Sequence, residues 1–125
     1  MAKLQKEPKT AEIELTAVLY ALSDETRLTI VHKLTITEEI ACGYFEIDMP
    51  KSSLSHHFRV LRSAGLVASR KEGTALMNRL RREDIDQRFP GLLDSILTSM
   101  SGKKKSKAKS AGRSATRVYM DTAKR

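Results

Sequence analysis

Apolar residues recur at helical spacing near the start of the chain. From Thr10 to Leu22 they fall every three or four positions, which predicts an α-helix with a buried face. Leu15 and Leu19 lie outside that face and make the helix apolar nearly all round. A short helix of this kind needs cover on more than one side, and a second subunit could supply it.

Two more helical patterns precede the middle of the chain. Ser23 or Asp24 can cap a helix through residues 27–34, whose apolar positions face inward. Residues 35–50 are less regular. They predict a short helix that Thr37 caps and that Pro50 stops.

The run "SSLSHHFRVLRSAGLV" predicts the strongest helix, from about Ser52 to Ala64, with Ser52 or Ser53 as its cap. Gly65 is expected to end it in a left-handed conformation. At about 100° per residue, one side carries the apolar residues and the opposite side carries polar ones. The inward residues are Leu54, Phe58 and Leu61, and the outward ones are Ser52, His56, Arg59 and Ser63.

A hairpin and a broken helix complete the pattern. Leu66 and Val67 begin a strand, "RKEG" at residues 70–73 predicts a tight turn, and "TALMNRL" returns. Residues 81–99 predict a helix that breaks at Pro90-Gly91. The fold class is therefore mainly α with a β-hairpin, an α+β arrangement. A helix followed by a two-stranded hairpin is typical of a winged helix-turn-helix, in which that helix enters the DNA major groove.

Positive charge is concentrated in two zones. Residues 51–82 hold eight basic residues against one acidic, and residues 101–125 hold nine against one. Acidic residues prevail in the rest of the chain, although the formal net charge is +8. Two basic zones indicate a polyanionic partner, most simply double-stranded DNA, with a solvated basic surface as the alternative.

Catalytic and metal-binding patterns are missing from the sequence. It contains no G-x-S-x-G, glycine-rich phosphate loop, HExxH or CxxC, so we expect neither an enzyme nor a cofactor. His56 and His57 are adjacent, and adjacent helical residues point about 100° apart and cannot easily share one ion. We therefore expect no metal site there, with His56 facing a partner and His57 packing at the border of the core or against the preceding helix.

Three stretches resemble a known family. "ALSDETRLTIVHKL", "SSLSHHFRVLRSAGLV" and "RKEGTALMNRL" resemble the opening helix, the recognition helix and the wing of the ArsR/SmtB (arsenic-repressor) family of bacterial winged-helix repressors. The resemblance runs from about Ala11 to Met100. It implies a sequence-specific transcriptional regulator that represses as a homodimer and releases DNA when an effector binds.

The resemblance and the helix geometry together predict two sets of functional residues. The expected DNA contacts are Lys51, Ser52, Ser53, Ser55, His56, Arg59 and Arg62, with Arg70 and Lys71 at the wing tip. The expected dimer contacts, from the first and last helices, are Ile13, Ala17, Leu19, Leu92, Leu93, Ile96 and Leu97.

The sequence departs from the family where metals are sensed. Cys42 is the only cysteine, and residues 82–97 contain Asp and Glu but no His. One thiol and scattered carboxylates do not make a site for a soft or borderline metal. We therefore expect a repressor without the usual metal sites, and its small-molecule effector, if it has one, is unidentified. A thiol or metalloid response through Cys42 stays open beside its role as a small buried residue.

Composition suggests three regions. Residues 1–9 are expected to form a flexible arm, residues 10–100 the DNA-binding and dimerisation domain, and residues 101–125 a basic disordered tail. The tail offers an alternative function, nonspecific nucleoid-type DNA binding. No stretch approaches a membrane span or signal peptide, so a cytoplasmic, nucleoid-associated location is expected and no membrane partner.

Overall fold

The computed structural model of the chain describes residues 7–41 and 45–100. These residues fall into two units that meet at Pro90-Gly91. The first contains helices α1 (Leu15–Ala21), α2 (Glu25–Ile36), α3 (Lys51–Ala64) and α4 (Arg82–Arg88), and strands β1 (Ile40–Ala41), β2 (Val67–Glu72) and β3 (Ala75–Leu80). The second contains helix α5 (Leu92–Met100).

The core of the first unit lies where α3 meets α1, α2 and the hairpin. Helix α3 contacts α1, α2 and β2. Large apolar side chains from these elements are fully buried, and burying each contributes roughly 1.5–3 kcal/mol. They include Val18, Ile30, Phe58, Leu61 and Leu66.

The first predicted helix is shorter than the pattern suggested. Residues 10–12 form a 3-10 turn, Ile13 is extended (φ −73°, ψ 127°), and α1 begins only at Leu15. Ile13 is 1% exposed, so it is a core residue of this chain and lies on no outer face. The prediction that Ile13 forms part of a dimer surface is therefore wrong.

Helix α2 confirms its predicted cap. The Asp24 side chain accepts a hydrogen bond from the backbone N–H of Arg27 at 3.0 Å, and the helix runs from there to Ile36. The short helix expected after Thr37 is wrong. In its place lies β1, which pairs with β3 so that Ile40 faces Asn78. Residues 42–44, and with them Cys42, lie outside the described residues.

The three strands form an antiparallel sheet in the order β1-β3-β2. The hairpin turns at Gly73 and Thr74, because Glu72 still pairs with Ala75. Gly73 has φ +66°, which an L side chain rarely adopts, and this places the turn there. The turn predicted at residues 70–73 is therefore wrong, and Arg70 and Lys71 lie within β2.

Residues 7–9 make specific contacts, unlike the expected flexible arm. A carboxylate oxygen of Glu7 accepts a hydrogen bond from the backbone N–H of Ser69 at 3.0 Å. The carbonyl of Pro8 accepts one from Arg81 at 2.8 Å. This segment therefore contacts the β2–β3 hairpin, which is called the wing, and the start of α4. Residues 1–6 and the basic tail, 101–125, lie outside the described residues.

The final helical stretch breaks as predicted. Helix α4 ends at Arg88 and α5 begins at Leu92, with Gly91 at φ +84° between them. In α5, Leu93 is buried, while Leu92, Ile96 and Leu97 are half-buried. None of the helices in the described residues is long and apolar enough to cross a bilayer.

Candidate nucleic-acid interface

Helix α3 starts one residue earlier than predicted and without a serine cap. Pro50 is the N-cap, and no side chain there accepts a hydrogen bond. Ser52 and Ser53 therefore lie in the first turn, where the positive end of the helix dipole favours an anion such as phosphate. The C-cap is Gly65 at φ +91°, as predicted.

One side of α3 is anchored in the core. Leu54, Phe58 and Leu61 are buried, as the spacing predicted. The Phe58 ring meets the Phe45 ring edge to face, with ring centroids 5.0 Å apart. This packing fixes the helix axis and leaves the opposite side in solvent.

The exposed side of α3 is polar and basic. Lys51, Ser52, Ser55, His56 and Arg59 are exposed, and Ser53 is half-buried. The Arg59 guanidinium lies 3.5 Å from Nδ1 of His56, so the two side chains share one patch. Short hydroxyls near the start of the helix and arginine further along can donate to phosphates and base edges.

Arg62 departs from its predicted place on the outward side. It is 9% exposed, and its guanidinium NH1 lies 3.4 Å from the Ser69 hydroxyl in β2. That hydroxyl in turn donates to the buried amide of Asn78 at 2.6 Å. Arg62 follows Leu61 directly and stands at the border of the buried face, where the hairpin packs. It therefore braces α3 against the wing, and its prediction as an exposed DNA contact is wrong.

His57 packs against α2, as predicted. Its Nδ1 lies 3.0 Å from NH1 of Arg27 and 3.7 Å from the Asp24 carboxylate. Burial, with help from the Arg27 charge, lowers the pKa of His57 below its ordinary value, and the carboxylate of Asp24 only partly opposes this. A neutral His57 ring can accept a hydrogen bond from Arg27.

Arg27 has a structural role that the sequence pattern did not predict. It is 5% exposed, and its Nε donates to the Ala21 carbonyl at the end of α1 at 2.7 Å. The guanidinium also lies 5.3 Å from the centroid of the Tyr20 ring. The available signal was spacing, because Arg27 shares the inward stripe of α2 with Ile30 and Leu34. One side chain therefore links α1, α2 and α3.

The wing carries a cation that is already paired. Arg70 donates to both carboxylate oxygens of Glu39, at 2.9 and 2.8 Å, and lies 3.0 Å from Glu72. The hydrogen bond with Arg70 lowers the pKa of Glu39 and raises the pKa of Arg70. Lys71 is exposed and, among the described residues, forms no ion pair within 4 Å. As the wing stands, Lys71 is available to a phosphate and Arg70 is held by carboxylates.

Replacing Glu39 with glutamine should raise affinity for DNA. The change removes the charge of the carboxylate that holds Arg70 at two oxygens and leaves only Glu72, so the guanidinium gains freedom to contact a phosphate. We expect about two- to fivefold tighter binding near 0.1 M salt and a steeper salt dependence, by about one phosphate contact. Fluorescence anisotropy with a labelled duplex from the region upstream of this gene, titrated at several salt concentrations, measures both.

Glu38→Gln is the matched control for this prediction. Glu38 is the exposed neighbour of Glu39 and, among the described residues, has no ion pair within 4 Å. If both variants tighten binding equally, the effect is one of net charge and the contact with Arg70 does not restrain the wing.

Helix α3 has one buried face and one polar, exposed face, and a β-hairpin lies beside it. This arrangement defines a winged helix-turn-helix of the DNA-binding class. The sequence model described as "Bacterial regulatory protein, arsR family" matches residues 24–69, which run from the cap of α2 into β2. Together with the relatives that follow, this match shows that the chain belongs to the ArsR family.

Related proteins are similar in sequence to this chain over most of the domain. The chain is 34% identical over 92 residues to the uncharacterized HTH-type transcriptional regulator YceK of Bacillus subtilis (strain 168), covering 70% of this chain and 92% of that protein. It is 38% identical over 90 residues to the arsenical resistance operon repressor of Staphylococcus xylosus, covering 71% and 86%.

A solved structure agrees as well. The crystal structure of a possible transcriptional regulator for arsenical resistance is 28% identical, with a TM-score of 0.54, over 72% of this chain and 97% of that one. Members of the family are transcriptional regulators and not enzymes, which confirms the predicted class and the prediction that the chain does no catalysis.

Proposed function

We propose that the chain is a homodimeric repressor that binds an operator through α3 and the wing and senses its effector without a metal. The observation that carries this proposal is the two-sided character of α3. Its apolar side is buried in the core, and its polar side presents hydroxyls, His56 and Arg59 to solvent. A helix held in this way can enter the major groove as a rigid body.

The geometry supports a revised set of DNA contacts. Lys51 and the hydroxyls of the first turn are placed for phosphates, and His56 and Arg59 for base edges. Lys71, in β2, contacts the flanking DNA backbone. Arg70 contacts it as well once its ion pair with Glu39 is broken. Arg62 serves the interface indirectly, by holding the wing against α3.

The surface of α1 supports the dimer. Leu15 is 44% exposed, Leu19 45% and Tyr20 62%, although all three are large and apolar or aromatic. Contiguous exposed residues of this kind mark an association surface. Leu19 keeps its predicted role, with Ala17 half-buried beside it, and Leu15 replaces Ile13. From α5 the proposed dimer contacts are the half-buried Leu92, Ile96 and Leu97, while Leu93 is buried within the chain, as Ile13 is.

The donor atoms do not fit the metal site that the name of the arsenical relative suggests. The chain has a single cysteine, and within residues 7–41 and 45–100 no three His, Cys, Asp or Glu side chains come together. A soft metal or metalloid needs several thiolate or imidazole ligands. We therefore propose an effector of another kind. A thiol response through Cys42 is tested by Cys42→Ser, which would have to alter release from DNA.

Arg59→Ala tests whether α3 binds in the DNA major groove. One arginine on a guanine edge contributes about 1–3 kcal/mol of discrimination, and a dimer uses two copies. We expect affinity for the operator to fall at least about tenfold, with circular dichroism and oligomeric state unchanged. Footprinting on the region upstream of this gene locates the site, and anisotropy measures the loss. Lys33→Ala on α2 is the control, since it removes a positive charge away from α3. Normal binding by Arg59→Ala would contradict the proposal.

A second candidate function rests on the tail. Nine basic residues within 101–125 can hold phosphates without sequence preference. In the full chain, glutamine is substituted for Lys103, Lys104, Lys105, Lys107 and Lys109. If this variant loses all DNA binding, the nonspecific function is favoured. If it keeps a preference for the footprinted site over a scrambled duplex, the winged helix carries the function.

A further inference from the structure

A groove of about 760 Å³ lies between the start of α3 and the β3 face of the wing. Its size falls within the roughly 300–1,000 Å³ of small-molecule sites. Its walls come from α3, from the segment before it and from β3, and they are mostly apolar. The apolar wall includes Phe45, Ile47, Met49, Phe58, Leu76 and Met77.

The polar groups of the groove include a lysine that has no carboxylate partner among the described residues. Lys51 and Ser55 line it from α3, and Glu72 and Thr74 line it from the wing. The carboxylate of Glu72 lies 3.0 Å from the Arg70 guanidinium, a cation that it shares with Glu39. Lys51, by contrast, forms no ion pair within 4 Å among the residues that the structure describes. Lys51 therefore offers the groove a cation without a carboxylate partner, with the Ser55 hydroxyl one helical turn away.

We propose that this groove binds a small amphipathic organic anion, an aromatic or branched apolar body that carries one acidic group. The apolar body fits the walls, where the flexible side chains of Met49 and Met77 adapt to its shape. The acidic group fits between the Lys51 ammonium and the Ser55 hydroxyl. A neutral ligand would leave the cation unused, and a cation would be repelled by it.

The consequence for regulation rests on the proposed function. Lys51 and Ser55 are also among the residues assigned to the DNA. A ligand that binds them removes a phosphate contact and adds a negative charge beside α3, the helix assigned to the DNA major groove. The bound anion therefore competes with DNA and acts as an inducer.

Two fluorescent probes of the same shape test the groove in the full chain. Anilinonaphthalene sulfonate carries one anion, and phenylnaphthylamine has the same aromatic body without the sulfonate. Both brighten in apolar surroundings, and neither titration contains DNA. The variants are Lys51→Gln, which removes the cation, Met77→Trp, which fills the groove, and Lys71→Gln, which removes a wing cation that does not line the groove.

We expect one anionic probe to bind per chain. Lys51→Gln should weaken the anionic probe about tenfold, the loss of one charge-assisted hydrogen bond, and leave the neutral probe unchanged. Met77→Trp should weaken both probes, and Lys71→Gln neither. An unchanged affinity in Lys51→Gln overturns the site. So does an equal loss in Lys71→Gln, which would make the binding a matter of net charge. Because Lys51 is exposed, its substitution leaves the fold intact, which circular dichroism checks.

Competition is measured separately, with the footprinted duplex. The anionic probe should displace the wild-type chain from DNA, and the neutral probe should do so much less. Probe binding without displacement overturns the inducer role. If the probes fail to bind while Arg59→Ala still loses affinity for the operator, the proposed ligand site is wrong and the proposed repressor function is unaffected. Normal probe binding by a chain that fails to footprint any site overturns the proposed function instead.

Discussion

Gly65→Ala is expected to destabilise the fold by about 2–4 kcal/mol. Gly65 ends α3 at φ +91°, and a Cβ there would meet Cγ1 of Ile13 at 2.6 Å and Cδ1 at 2.8 Å. Ile13 is buried, so it cannot swing into solvent to make room. The variant therefore combines backbone strain with overpacking. Urea unfolding followed by circular dichroism measures the loss as a lower midpoint.

Gly73→Ala is the matched control. Gly73 also has a positive φ, +66°, but a Cβ there would meet nothing within 4 Å. We expect it to lose only the conformational part, about 1 kcal/mol. An equal loss in both variants would show that the contact between Gly65 and Ile13 adds nothing. A larger loss at Gly65 would show that the close packing of Ile13 against Gly65 adds to the conformational cost.

Arg27→Met is the second large effect, at about 2–4 kcal/mol of stability. Methionine keeps an unbranched apolar stem, although it is shorter than arginine, and removes every donor. The buried carbonyl of Ala21 and the half-buried Nδ1 of His57 then lose Arg27 as a partner. The Tyr20 carbonyl also loses it but keeps its hydrogen bonds from Ser23. Because Ala21 belongs to α1, His57 to α3 and Arg27 itself to α2, we expect α3 to loosen relative to α1 and α2. DNA affinity should therefore fall even at temperatures where the chain remains folded.

Lys33→Met provides the comparison for Arg27→Met. It makes a similar change on the same helix, at a half-buried residue, and should change stability by no more than about 0.5 kcal/mol. Urea unfolding gives the stability, and anisotropy at 10–15 °C below the unfolding midpoint gives the affinity. If Arg27→Met is as mild as its control, the guanidinium does not hold the three helices together.

Patterns that depend on neighbours along the chain were predictable. The cap of α2 is Asp24, one of the two residues that the pattern predicts, and its side chain reaches a backbone N–H three residues later. The inward and outward faces of α3 followed from the 100° step, and Gly65 followed from its place after the last apolar residue. The same geometry separated His57 from His56. Each of these features is decided within about one turn of helix.

Features decided by distant contacts were not predictable in this way. The strand β1 has only two residues and exists because Ile40 pairs with Asn78 across the sheet. Ile13 is extended and lies outside α1, and its side chain packs beside Gly65, far along the chain. Arg62 turns toward Ser69, and Arg70 toward Glu39, because the wing folds back onto α3 and β1. Spacing alone carries no information about such partners.

The hydrogen bond from Ser69 to Glu7 bears on how copies of this protein avoid one another. Strand β2 lies at the outer edge of the sheet, and an open edge offers its backbone N–H groups to a strand of any other chain. The carboxylate of Glu7 occupies one of those N–H groups and brings a negative charge to the edge. A few residues ahead of the first helix thus act as a guard against edge-to-edge aggregation. An expression clone trimmed to begin at α1 would lack that guard.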